Sequence, residues 1–466
     1  MKRTVINLYL ILNALFLVGM NGASAQSSEI WYDKPAKTWT QALPVGNGKM
    51  GGMVFGLPSV ERIQINEETI WAGQPNSNVN PSAAKAMPQV QKLVLRGDTR
   101  EAQQLANEKI MPGEVKKAFD HGMPINAREI SGFASSPYAS LYLKPDPATL
   151  TILPWRSESG KVLRMFCDVC TPDGEVYACD TRDILRKAAA RAREAGVEFR
   201  FSIESEFYLF LMDEEGRETK IPYDRAGYLD IAPADKCENI RREINLTIER
   251  MGLTPERSHH ERGPGQNEID FHYAKPLKAA DQITTFKMAV RTIADRHGLY
   301  ADFSPMPLPD QPGNGYHINL YAVNAEGEDV AIQAAAGIME VIRDITIFLN
   351  PTDDSYSRLG SSTAPDRADW SREGKSELMY IETFNGKTRV ELRSPDASGN
   401  PYLVYALLIY AGLSGIERNL SLPEEMTQNA DMLPSSRKEA GKIALRSAFV
   451  RQIIPEEILR VYCGRE

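Results

Sequence analysis

Eight charged side chains in this sequence are spaced so that strands and one turn would gather them. Glu204 and Glu206 stand two apart in "FRFSIESEFYLF", and His317 lies in "GYHINLYAV". Arg389, Glu391 and Arg393 alternate through "KTRVELRSPD". Glu261 and Glu268 flank a Gly-Pro-Gly turn in "SHHERGPGQNEIDF". Brought to one place, carboxylates repel one another unless cations stand among them. Hard oxygen donors with a single imidazole suit Mg²⁺ or Mn²⁺ better than a thiolate zinc set does.

Strands must carry most of these groups. In the first stretch Phe199, Phe201, Ile203, Phe207 and Leu209 share one parity, and Arg200, Ser202, Glu204, Glu206 and Tyr208 share the other. A period of two sends the two sets to opposite faces. In the second, Tyr316, Ile318 and Leu320 oppose His317 and Asn319; in the third, Val390 and Leu392 oppose Arg389, Glu391 and Arg393. One such strand reads equally well as a sheet with a wet face, but three together argue for a site. Pro264 stiffens the turn, and Gly263 and Gly265 let backbone come close to a substrate. Around these elements, "TRDILRKAAARAREAG" predicts an amphipathic helix closed by Gly196. In "NPYLVYALLIYAGLSGIE", Asn400 caps a helix, Pro401 opens it, and the apolar run demands burial. The alternation of strand-like and helical segments predicts an α+β fold.

The 466 residues are enough for two or three domains. A net charge of -8 argues against nucleic acid as the main partner. The N-terminus has Lys2 and Arg3, an apolar run from Val5 to Met20, and Ala23-Ser24-Ala25. That pattern predicts a signal peptide over residues 1–25 and export; a buried helix or membrane anchor is the other reading. No later segment is apolar and long enough to make a membrane a partner. The cysteines point elsewhere: five, with no framework, read as free thiols of a reducing, cytoplasmic compartment. Cys167 and Cys170 in "CDVC" lack a second pair at zinc spacing, and Cys237 and Cys463 are isolated.

Residues 29–112 show short β-like runs broken by Gly, Asn and Pro, then a helical stretch from about Pro88 to Ile110. "ALPVGNGKMGGMVFG" and "INEETIWAG" resemble the opening of the glycoside hydrolase family 95 α-L-fucosidases. The resemblance implies part of an N-terminal β-sandwich, and with it an alternative function as a secreted carbohydrate-active fragment. The barrel that carries that family's acid and base has no counterpart downstream.

From about residue 114 onward, "SIESEFYLF", "HHERGPGQNEIDF", "GNGYHINLYAV", "DDSYSRL" and "RVELRSPDASGNPYLVYALLIYAGLSGIE" resemble glutamine synthetase. That resemblance implies a small β-grasp domain, truncated here, and a catalytic α+β domain whose curved antiparallel sheet holds two metal ions. The implied boundaries are 1–25 (signal peptide), 26–112 (fucosidase-type fragment), 113–180 (β-grasp) and 181–466 (catalytic), in a chain of chimeric appearance. Glu206, Glu261 and Glu268 match the ligands of one metal, and Glu204, His317 and Glu391 those of the other. Arg358 matches an arginine at the nucleotide phosphates, Lys375 and Asn319 fall to the nucleotide, and Arg393 matches the residue that holds the glutamate carboxylate. The implied reaction is amide formation on the γ-carboxylate of glutamate with ammonia, through an acyl phosphate, with ATP as substrate. A homo-oligomer is implied if the β-grasp part folds. The sequence departs from the family at Pro312, where an asparagine is usual, and at Lys375 and Tyr380, where two phosphate-facing arginines are usual. Ser140 stands at a position often held by aspartate. These departures raise a second alternative, a catalytically inactive homologue.

Overall fold

The structure is a computed structural model that describes residues 34–37, 41–46, 50–55, 63–67, 83–96, 98, 101–102, 105, 122–130, 132–133, 136–156, 162–374, 377–426 and 430–464. The signal-peptide reading, the junction near residue 113 and Lys375 therefore lie outside the described residues. The chain divides into two compact units, Met1–Gly73 and Gln74–Glu466. In the first, β1 (Leu43–Gly46), β2 (Met50–Val54) and β3 (Ile63–Glu67) pair antiparallel in sequence order.

The first described element of the second unit is α1 (Ala83–Arg96), which starts five residues ahead of the expected Pro88. The proline sits inside this helix instead of opening it, at the cost of one amide donor. Then come β4 (Met123–Asn126), β5 (Ser140–Pro145), a hairpin of β6 (Thr151–Ile152) and β7 (Leu163–Arg164), and β8 (Cys167–Cys170). β4, β5 and β8 make a small antiparallel sheet. Arg182 in α2 (Thr181–Glu194) ties this sheet to the helices. The buried Arg182 guanidinium reaches Asp146 at 2.9 Å, Asp168 at 3.2 Å and Asp281 at 3.0 Å. As the sequence predicts, α2 is amphipathic; Asp180 caps its start, and Gly196 (φ 72°) lies just beyond its end.

The large sheet is built from β9 (Glu198–Met212), β10 (Glu218–Pro222), β11 (Pro255–His260), β12 (Gln266–Phe271), β13 (Leu299–Asp302), β14 (Tyr316–Val323), β15 (Trp370–Ser371), β16 (Met379–Phe384) and β17 (Lys387–Leu392). Its order is β11-β12-β9-β14-β17-β16-β15, with β10 and β13 also paired to β9, and only the β15–β16 pair is parallel. The three strands picked out by parity are thus direct neighbours. Between them run α3 (Glu238–Arg250), α4 (Pro276–Arg296), α5 (Ala331–Leu349) and α6 (Asp353–Arg358), and α7 (Pro401–Glu417) comes after β17. Helices α2, α4 and α5 pack on the apolar face of the sheet. Phe199, Phe201, Ile203, Phe207 and Leu209 are buried there, and Phe201 stacks on Tyr405 of α7 at 4.5 Å. Asn400 caps α7 by accepting from the amides of Tyr402 and Leu403, and Pro401 takes its first turn. Among the described residues no helix is long and apolar enough to cross a membrane.

Candidate active site

Register brings the polar parities together. Glu206 in β9 lies opposite Glu268 in β12, which in turn faces His259 in β11. One row along, Glu204 lies between Asp270 in β12 and His317 in β14. In the next row Ser202, Asn319, Glu391 and Tyr380 line up across β9, β14, β17 and β16. Residues directly opposite share a face of the sheet. Over it lies a cavity of about 200 Å³ whose wall includes Glu204, Glu206, Glu261, Glu268, His317 and Arg393.

On the β14–β17 side the carboxylates are matched by cations. Donor atoms of Glu204, His317 and Glu391 all lie within 4.8 Å of one another. Arg389 Nη2 donates to Glu204 Oε1 (2.6 Å) and Glu391 Oε2 (2.8 Å), and its Nε donates to Asn319 Oδ1 (2.7 Å). Arg393 pairs with the other Glu391 oxygen. Burial alone would raise Glu204, but the His317 hydrogen bond and the charges of His317 and Arg389 hold its carboxyl well below the usual range.

The β11–β12 side is less well matched. Burial and then the Glu261 charge raise Glu206, although it accepts from Gly315 N (2.8 Å) and Gln266 Nε2 (3.0 Å). Glu268 rises well above the ordinary range, through burial first and then Asp270 and Glu206. Donor atoms of His259, Glu268 and Asp270 also lie within 4.8 Å of one another. Arg257 reaches this side, its Nε 2.9 Å from Asp270 Oδ2. Oxygen-rich donors with surplus negative charge fit hard divalent cations. The buried His317 Nε2, which has no hydrogen-bond partner, adds an unsatisfied nitrogen at the centre of the site.

The turn that carries Glu261 requires its glycines. A Cβ on Gly263 would lie 1.9 Å from the Tyr208 hydroxyl, and Gly265 has φ 70°. Gly263 N donates to Gln266 Oε1 and Gly265 N to Asp224 Oδ1, both at 2.9 Å. Tyr208 donates to the Pro312 carbonyl (2.6 Å), so the residue that departs from the family pattern anchors the facing loop through its backbone.

Not every expected site residue meets the cavity. Arg358 is fully buried and donates to the carbonyls of Ser394 (2.8 Å) and Arg393 (3.1 Å), which holds the chain beneath Arg393. Burial lowers its pKa. Asn319 donates to Glu204 Oε1 (3.1 Å) and accepts from Arg389, behind the cavity wall. Ser140 is exposed at the start of β5. Sequence reasoning left Arg389, His259 and Asp270 without roles. Parity was the available signal: Asp270 stands two from Glu268, as Arg389 does from Glu391.

Comparison with known proteins gives two matches along the chain. Residues 178–464 match the glutamine synthetase catalytic domain, and residues 30–149 match the N-terminal domain of glycosyl hydrolase family 65, where the sequence resemblance named family 95. A glutamine synthetase of Clostridium saccharobutylicum is 41% identical over 353 residues, covering 72% of this chain and 80% of the relative. One of Staphylococcus epidermidis is 39% identical over 351 residues, covering 72% and 79%. Among solved structures, ligand-free GmaS is similar with a TM-score of 0.66 at 25% identity, covering 74% of this chain and 84% of that one. Plasmodium falciparum glutamine synthetase shares the fold, with a TM-score of 0.66 at 20% identity, covering 75% and 86%.

Proposed function

The chain belongs to the glutamine synthetase family, and on that premise we propose that it is an ATP-dependent ligase joining ammonia to the γ-carboxylate of glutamate. The observation that carries this reading is the convergence of Glu204, Glu206, Glu261, Glu268 and His317 with Arg393 on one cavity. Two Mg²⁺ or Mn²⁺ ions would be held here, one at Glu204, His317 and Glu391, whose donor atoms lie together, and the other at Glu206, Glu261 and Glu268, which share the cavity wall. Bound there, they would neutralise the charge of a transferring phosphoryl group. The chain's own part is to position and to compensate. Arg393, fixed through Glu391 and through its own carbonyl on Arg358, would hold the glutamate carboxylate. The γ-carboxylate oxygen takes the terminal phosphoryl of ATP and ADP leaves. Ammonia then attacks the acyl carbon, phosphate departs, and a proton is lost to give the amide. The glycines of the Gly263–Gly265 turn leave room for Tyr208 and the Leu209 backbone, and the turn leads from Glu261 to Glu268, which share the cavity wall.

The test is phosphate release and amide formation by the Mn²⁺-loaded full chain. Release that requires both glutamate and ammonium supports the reading; ADP release indifferent to both overturns it. Tyr380, placed opposite Glu391 where the family has an arginine, favours a second reading as an inactive homologue. Lost charge at that position weakens phosphate stabilisation. ATP and Mn²⁺ binding by calorimetry without turnover would select it. Homo-oligomeric assembly belongs to the first reading and is checked by light scattering.

A further inference from the structure

Behind the Glu261 turn lies a second group of donors. Asp224, Asp235, Cys237 and His260 are all buried, and one donor atom from each lies within 4.8 Å of the others. We propose that these four residues form a structural site for Zn²⁺ or a similar late transition metal, apart from the carboxylate cavity.

Donor type separates the two sites. One sulfur, one imidazole nitrogen and two carboxylate oxygens make a set that zinc takes tetrahedrally, whereas the cavity in front offers mostly carboxylates. The ligands are already held in place by hydrogen bonds to their surroundings, Asp235 through both of its oxygens. His260 Nδ1 sits 2.7 Å from the Glu261 carbonyl, which turns Nε2 inward toward Asp224 Oδ1 at 2.9 Å. Asp224 Oδ2 accepts from Lys236 N at 3.0 Å, and Asp235 is gripped by Arg241 at 2.6 and 3.2 Å. Arg241 is held in turn by Asn267 Oδ1 at 2.7 Å. Such outer hydrogen bonds orient metal ligands and select the histidine tautomer. Charge also balances: the thiolate and two carboxylates would be offset by a divalent cation and the buried Arg241 guanidinium. Cys237 stands at the N-cap position of α3 but makes no side-chain cap; its thiol instead hydrogen-bonds with Asp224 and Asn267, which keeps the sulfur within the group.

The site would brace the catalytic turn from behind. His260 precedes Glu261, and Asp224 Oδ1 accepts from Gly265 N. The inference stands whether or not the cavity in front turns over ATP.

The full chain is stripped with a chelator, supplied with excess Mg²⁺ to fill the carboxylate sites, and titrated with Co²⁺. The expected result is a near-ultraviolet thiolate-to-cobalt band with the visible bands of tetrahedral Co²⁺, saturating near one equivalent. Cys237→Ser should lose the near-ultraviolet band while keeping its circular dichroism, and Cys463→Ser should keep the band. Zn²⁺ should raise the Tm of the wild type and not of Cys237→Ser. X-ray absorption on the zinc-loaded wild type needs no variant and should show one sulfur among nitrogen and oxygen donors. No thiolate band in the wild type, a band that survives Cys237→Ser, or a zinc shell without sulfur overturns the proposal.

Discussion

The two sides of the cavity differ both in how many acids they hold and in how they balance them. Toward β14 and β17, Glu204 and Glu391 are bridged by Arg389, and Glu391 also takes Arg393. Toward β11 and β12, Glu206, Glu261, Glu268 and Asp270 share His259 and Arg257. The first side is a charge-compensated frame that can stand without added cations. The second stores repulsion and takes up protons, because buried carboxylates facing one another cannot all ionise cheaply. Cations should therefore matter to stability on the second side and to catalysis on both.

The largest effect expected from this contrast is that of Glu391→Ala. It leaves Arg389 and Arg393 without a shared carboxylate, and breaking a buried pair costs about 3–5 kcal/mol. Partial exposure of Arg389 should bring the loss toward the lower end. Urea unfolding measures it, and glutamate-dependent phosphate release should fall by about 10²–10³-fold or more. A stability loss no greater than that of any carboxylate removed from the other side would erase the contrast.

Gly263→Ala comes next. Its Cβ collides with the Tyr208 hydroxyl, and overpacking of this kind costs about 1–3 kcal/mol. Adding Tyr208→Phe should recover part of the denaturant midpoint; no recovery would mean that the strain lies in the backbone instead.

Glu268→Gln should act with the opposite sign. In chelator it should stabilise the protein by about 0.5–1 kcal/mol, since like charges directly opposite in a sheet are unfavourable. It should at the same time weaken Mn²⁺ binding measured by calorimetry. A destabilised metal-free variant would show that the repulsion is already relieved.

The gentlest effect is a slope with pH. Glu268 and Glu206 have folded pKa values above their unfolded ones. The stability they lend is present below the ordinary glutamate pKa and is lost as pH rises through their folded values. Metal-free protein should thus have a falling Tm from about pH 5 to 8, and Mn²⁺ should flatten the curve. Glu204, lowered, works the other way and is lost only as pH falls below the ordinary range. A metal-free Tm that climbs from about pH 5 to 8 would contradict the contrast.

Much of this site is legible residue by residue. Parity along "FRFSIESEFYLF", "GYHINLYAV" and "KTRVELRSPD" states which side chains share a face, because alternation is a local property of an extended backbone. Cap and turn chemistry at Asn400, Pro401, Gly263 and Gly265 is equally local. Pro88 shows the limit of such rules: a proline suited to a helix start sits inside α1.

What the sequence by itself determined is therefore which side chains share a face of each strand and the family to which the motifs belong. Tertiary structure alone decided the register that sets Glu268 against Glu206 and Asp270 against Glu204. It also decided that Arg389 spans two strands, that Arg358 turns to backbone carbonyls, and that Cys237 meets His260 and Asp224. The physical reason is that alternation depends on neighbours in the chain. Register and ion pairing depend on which distant strands the buried apolar faces bring together, and a slip of one residue in β9 would turn Glu204 and Glu206 away from the cavity.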